Sequence, residues 1–162
     1  MPVCSSSSRK GFTLIELMIV VAVIAILSTI AYPAYTSYIQ RGKLGEAFAE
    51  LGALRVQLEQ YYQDHRDYGS ASSGCGGTSS PIPSSATPAG TQYFSYSCNW
   101  TVSGDVNSAS NQAYLITATG IAGQGMSGYS YTIDYSGNKK TTAYPGVSSL
   151  PRSCWLLKSG DC

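Results

Sequence analysis

Few residues in this chain could do chemistry, and their spacing narrows the field further. His65 is the single histidine; Asp64 and Asp67 lie near it, and no nucleophile stands close in sequence. There is no GxSxG, HExxH or Walker signature, each of which fixes a nucleophile, a metal or a phosphate by defined geometry. The glycines of TGIAGQGMSG, residues 119–128, resemble a phosphate loop only in composition, because no Lys-Ser/Thr follows them. Five cysteines occur without any CxxC, so neither a redox pair nor a zinc centre is indicated. We expect no catalytic residue, no metal and no cofactor. The remaining conspicuous group is Glu16, one turn inside the apolar run FTLIELMIVVAVIAILSTIAY. A carboxylate there costs about 3 kcal/mol if it stays charged in lipid. It either snorkels to the interface or finds a partner, such as an amine exposed at Phe12 of a neighbouring chain.

The element that holds Glu16 is legible. Residues 12–31 are apolar over about 20 positions, or roughly 30 Å of helix, which matches a bilayer's hydrocarbon core. Arg9 and Lys10 precede the run, which predicts a cytoplasmic amino terminus and an exported remainder. No small-residue cleavage site follows the run, so the apolar segment is expected to be retained. Lys10-Gly11-Phe12-Thr13-Leu14-Ile15-Glu16-Leu17 resembles the class III, prepilin-type leader of the type IV pilin family. The resemblance implies cleavage between Gly11 and Phe12 by a prepilin peptidase and N-methyltransferase, methylation of Phe12, and a role for Glu16 in filament assembly. Pro33 matches the family's helix-bending proline; a bend or local melting near residues 28–31 is expected from its missing N–H.

Beyond Pro33, Leu44, Phe48, Leu51, Leu54, Leu58 and Tyr61/Tyr62 recur at spacings of three and four, with Arg55 beside Leu54. Glu46, Glu50, Gln57, Glu59 and Gln60 take much of the remaining surface. That is an amphipathic helix with one stripe turned to a partner surface. Gly42, Gly45 and Gly52 weaken it by up to about 1 kcal/mol each and read as close packing or mild flexibility. The resulting division is 1–11 leader, 12–33 membrane and filament-core helix, 34–68 amphipathic helix, and 69–162 loop plus sheet.

After Tyr68 the composition turns to Ser, Gly, Thr and Pro, and residues 69–92 read as loop pinned by Cys75. Residues 93–103 then alternate, with Phe94, Tyr96, Cys98, Trp100 and Val102 on one side. Residues 113–119 form a second run, and 129–135 alternate again through Tyr129, Tyr131, Ile133 and Tyr135. Ser136-Gly137-Asn138 turns the chain into residues 139–144. The expected fold is α+β: a long amino-terminal helix whose second half packs on an antiparallel meander of about four strands, as in type IV pilins. Cys4 falls in the leader, leaving Cys75, Cys98, Cys154 and Cys162 in a compartment that oxidises thiols. Three pairings are open; Cys75–Cys98 with Cys154–Cys162 ties each loop to its nearest partner.

Resemblance to the family implies a structural subunit serving twitching motility, adhesion or DNA uptake. Its partners would be other pilins, the processing peptidase and an inner-membrane assembly platform. It would reside in the inner membrane with a periplasmic head before entering an extracellular pilus. The Tyr-rich strands, the YTIDYSGNKKT hairpin and the cysteines most resemble PilE-type minor pilins. A ComP-type DNA receptor, a type II secretion pseudopilin and a major pilin are the alternatives; no acidic loop cluster suggests a pseudopilin calcium site. For DNA, the candidate contacts are Lys139, Lys140, Arg152 and Lys158, beside exposed tyrosines and Trp155. Against them stand Asp67, Asp105, Asp134 and Asp161, so the head sets up no bulk attractive field. Only 12% of residues are charged, and the net charge of +1 becomes slightly acidic once Arg9 and Lys10 are removed. That balance excludes a generic polycation.

Overall fold

The computed structural model describes residues 11–70, 74–77, 90–100 and 111–162. The leader residues Cys4, Arg9 and Lys10, together with Pro81, Pro83, Pro88, Val102 and Asp105, lie outside the described residues. Helix α1 spans Leu14–His65. It begins where Thr13 can cap it: the Thr13 Oγ1 accepts the Glu16 N–H at 3.3 Å. Thr13 and Glu16 stand at the spacing of a capping box, and the carboxylate lies at the positive end of the helix dipole. The helix ends because Arg66 adopts a left-handed conformation, φ 64°, and donates its N–H to the Tyr62 carbonyl.

The chain divides into two compact units, residues 1–39 and residues 40–162. In the first, the apolar side chains from Leu14 to Ile30 are exposed, and this part of α1 is long and apolar enough to cross a membrane. Local melting near residues 28–31 does not occur: the helix is continuous through Pro33. A proline removes a single helical bond. The hydroxyls of Ser28, Thr29, Thr36 and Ser37 all donate to carbonyls three or four residues back, holding both flanks in helical register.

The second unit has its own core. A four-stranded antiparallel meander runs β3 (Phe94–Asn99), β4 (Leu115–Gly120), β5 (Ser130–Asp134) and β6 (Lys139–Ala143), in that spatial order. The register carries Tyr96, Ala118, Tyr131 and Thr141 across all four strands, and beside them Cys98, Ile116, Ile133 and Lys139. Side chains alternate along a strand, so these two rows share a face. That face packs on Leu44, Ala47, Leu51, Leu54 and Leu58 of α1 in one buried cluster.

Residues 69–92 are not wholly loop, as their composition suggested. β1 (Gly69–Ser70) and β2 (Gly74–Cys75) form a short antiparallel ribbon, with Gly69 opposite Cys75. Gly76, at φ 78°, returns its N–H to the Tyr68 carbonyl at 2.8 Å, and Cys75 is bonded to Cys98 of β3. A covalent tie to the sheet and a backbone that tolerates positive φ outweigh poor strand propensity. The segment between β4 and β5 is a tight connection containing a short 3-10 turn, Ala122–Gln124. It demands glycine at 120, where a Cβ would strike the carbonyl of Met126.

The carboxyl-terminal segment closes the sheet edge. Arg152 bridges to Thr141 of β6, and a second disulfide joins Cys154 to Cys162. The Thr141 hydroxyl, fully buried, donates to the Cys154 carbonyl at 2.6 Å and accepts the Leu156 N–H at 3.0 Å. Tyr131, on the core face, donates its hydroxyl to the Leu156 carbonyl at 3.0 Å.

Candidate functional site

The two units present two different sets of candidate residues. In the first, Gly11 and Phe12 precede α1, Phe12 is 88% exposed, and Glu16 sits on the capped first turn. The Thr-x-x-Glu spacing therefore has a structural use, starting the helix, whatever else the carboxylate does.

In the second unit the four candidate cations do not form one patch. Lys139 and Lys140 are neighbours on β6, and the two-residue repeat of a strand sends them to opposite faces of the sheet. Lys139 shares the helix-facing side and places its Nζ 4.5 Å from the centre of the Trp155 ring. Lys140 points away from that face and is exposed. Arg152 is tied down locally: its Nε and an Nη donate to the Ser149 carbonyl and hydroxyl at 3.0 and 2.7 Å. Lys158 is exposed on the disulfide-closed turn, where Asp161 accepts its backbone N–H. Trp155 is not free to stack on a base. Its ring stacks on Phe48 at 5.0 Å and carries Lys139, and its Nε1 donates to the Thr132 carbonyl.

A groove of about 460 Å³ lies between α1 and the β5–β6 hairpin, lined among others by Arg55, Val56, Gln60, Gln63, Lys139 and Trp155. Sequence reasoning noted Arg55 only as the neighbour of Leu54 and Lys139 as the start of a strand; only folding brings them to one groove. Arg55 lies against the β5–β6 turn, where a Cβ on Gly137 would come within 3.0 Å of its guanidinium. Its Nε is shielded from solvent and has no hydrogen-bond partner among the described residues. The nearest acid on the helix, Glu59, is already occupied. Its two oxygens accept the hydroxyls of Tyr114 and Tyr68 at 3.0 and 3.1 Å. Burial pushes both phenols well above the usual tyrosine range, and the adjacent Glu59 charge pushes them further. Glu46 is likewise structural: its carboxylate accepts the backbone N–H groups of Gln92 and Tyr93. The helical pattern showed these two glutamates only as polar positions, because their acceptor role depends on strands far along the chain. Chain content did carry one signal, since ten of the thirteen tyrosines fall in residues 40–162, where packed phenols need acceptors.

His65 lies at the end of α1. It is exposed, its ring stacks on Tyr61 at 4.0 Å, and its Nδ1 lies 3.1 Å from the Tyr61 carbonyl.

A capped apolar half-helix bearing Glu16, continued by an amphipathic half that packs on a four-stranded antiparallel meander, is the architecture of a type IV pilin. A model of the prokaryotic N-terminal methylation motif matches residues 6–32. A model described as type IV minor pilin ComP, DNA uptake sequence receptor, matches residues 33–130, more than half of the chain, and the chain belongs to that family. No curated protein and no solved structure matches it. The chain is accordingly a minor pilin, a structural subunit that assembles with other pilins and is processed as a prepilin. Its apolar half-helix fits anchorage in a membrane before assembly into an extracellular pilus.

Proposed function

We propose that this minor pilin is the DNA-capturing subunit of its filament. The observation that carries the reading is the family match over residues 33–130. Lys140 and Lys158 are the contacts we assign to DNA: both are exposed, and neither ammonium group has a partner among the described residues. Lys139 and Arg152 are set aside for this role because Trp155 and Ser149 engage them. With so few cations, capture must rest on a small number of phosphate contacts plus base readout, not on long-range attraction. The experiment is a titration of the full chain in detergent with duplex DNA at 50 and 200 mM salt, preceded by selection from a random duplex pool. Two phosphate contacts predict about a tenfold loss of affinity over that range. Lys140→Ala and Lys158→Ala should each flatten the salt slope by about one. Failure to bind at low salt, or a pool that yields no common sequence, would remove the receptor role.

At the other end of the chain we propose cleavage between Gly11 and Phe12, methylation of Phe12, and insertion with the amino terminus cytoplasmic and the head in the periplasm. In the assembled filament the Glu16 carboxylate pairs with the Phe12 amine of a neighbour, which offsets the cost of a charge among apolar helices. Glu16→Ala leaves that amine unpaired and should reduce recovery of the subunit in sheared filaments by about tenfold or more. Undiminished recovery would break the pairing.

A further inference from the structure

We propose that the groove between α1 and the β5–β6 hairpin receives an acidic side chain of another pilin subunit, with Arg55 and Lys139 as its counter-charges. This goes beyond DNA capture and does not rest on it. Two cations, Arg55 and Lys139, line the groove against a single acid among the described residues, Glu59, whose carboxylate is engaged elsewhere. The Arg55 Nε is shielded from solvent with no hydrogen-bond partner among the described residues, and both oxygens of Glu59 accept tyrosine hydroxyls. Asp134, in the adjacent turn, is also spent, with its oxygens accepting the N–H and side-chain amide of Asn138 at 2.8 and 2.9 Å. A guanidinium drawn partly out of water without an anion is costly. The same group becomes a strong anchor once a carboxylate meets it bidentately.

The walls point to a protein partner. Phe48, Ile133 and Trp155 line the groove, and Val56 on its rim is 56% exposed. Aromatic side chains and an arginine in a partly dry pocket are the composition of a protein–protein anchor point. An aspartate or glutamate brings an aliphatic stem for these walls and a planar carboxylate for the fork of Arg55. A duplex presents its phosphates from a broad rod and would meet exposed lysines first. As a filament subunit the chain is surrounded by other pilins, which supply such a side chain.

A photo-crosslinking residue at position 60, in place of the groove-lining Gln60, would be introduced into the full chain in filament-producing cells. Sheared filaments would then be irradiated and the adducts identified by mass spectrometry. The expected adduct is a pilin peptide containing Asp or Glu. Arg55→Gln should cut its yield by about tenfold or more, Lys139→Gln should cut it less, and Arg55→Lys should retain part of it. Thermal unfolding of the unassembled Arg55→Gln chain in detergent should be unchanged or later, because an uncompensated charge has been removed. A purely structural arginine would give earlier unfolding, and Lys139→Gln keeps the crosslinking test valid in that event. An adduct with DNA, no adduct, or a yield indifferent to both substitutions overturns the proposal. Loss of duplex binding by Arg55→Gln with the adduct intact would also overturn it and leave DNA capture standing.

Discussion

Between pH 10 and about 12, the head of the detergent-solubilised chain should lose its fold in one steep step. Tyr96, Tyr114 and Tyr131 are buried to 1% exposure or less and carry the expectation. Their phenols lie far above the ordinary tyrosine range. Burial is the first cause in each; negative charge on Glu46 and Glu50 adds to it for Tyr96, and Glu59 does so for Tyr114. For Tyr131 the neighbouring Tyr144 and Tyr129 phenols add to burial. The sign follows from linkage. In the unfolded chain these groups release their protons near pH 10, while the fold still holds them, so stability falls as pH rises past 10 and is whole below it. Each tyrosine contributes a slope of about 1.4 kcal/mol per pH unit, and three contribute about 4. Over two pH units the loss reaches about 8 kcal/mol, enough to unfold a domain in the lower part of the typical range of about 5–15 kcal/mol. The measurement is tyrosinate absorbance recorded alongside circular dichroism. A first group of phenols should titrate reversibly, and the rest should appear together with the loss of dichroism. Tyr131→Phe sacrifices the bond to the Leu156 carbonyl but should reduce the alkaline slope by about a third. A single titration wave near pH 10 with the fold intact would contradict the burial of these rings.

The same tyrosines show how far the sequence could be read. Alternation in residues 93–103 and 129–135 placed Phe94, Tyr96, Cys98, Tyr131 and Ile133 on one face, and the register confirms that they share it. Spacing of three and four likewise picked Leu44, Leu51, Leu54 and Leu58, all buried. Both periods are local geometry, which one segment can show by itself. Ala47 was missed because a small residue between Glu46 and Phe48 gives little signal until the sheet presses on it. The β1–β2 ribbon was missed because its pairing depends on Cys75 being held to β3, a contact between distant positions. The four candidate cations do not meet in one patch, for a reason the sequence did contain: adjacent residues in a strand point to opposite faces, so Lys139 and Lys140 had to part. What no pattern could show is that Lys139 would meet Arg55. That juxtaposition needs the meander order, the register of β6 and the rotation of α1 at once. The low charge content fits the same picture, since several of the few charged groups are used as internal ties.

Glu59 is the tie whose removal should cost most. Tyr114 is wholly buried and Tyr68 is 6% exposed, and the hydroxyls of both end on this carboxylate. The two rings also meet edge to face at 4.7 Å, and Tyr68 stacks on Tyr62 at 4.7 Å. One side chain thereby fastens the end of α1, the start of the β1–β2 ribbon and the approach to β4. Glu59→Ala leaves the hydroxyls of two buried tyrosines without this acceptor. Hydrogen bonds to a charged acceptor are worth about 1.5–3 kcal/mol each, and an orphaned buried donor costs about 1–3. Because the two bonds share a partner their losses do not add fully, and about 3 kcal/mol is the expected total. For a domain of this size that is a fall of about 10 °C or more in the unfolding midpoint. Glu59→Gln keeps an oxygen for Tyr114 and offers an amide to Tyr68, so it should recover more than half of the loss. Glu59→Ala should also lower the alkaline resistance of Tyr114 only slightly, because burial rather than the carboxylate is the larger cause of its shift. A midpoint unchanged by Glu59→Ala would mean that water reaches both hydroxyls, and the end of α1 would then be held by packing alone.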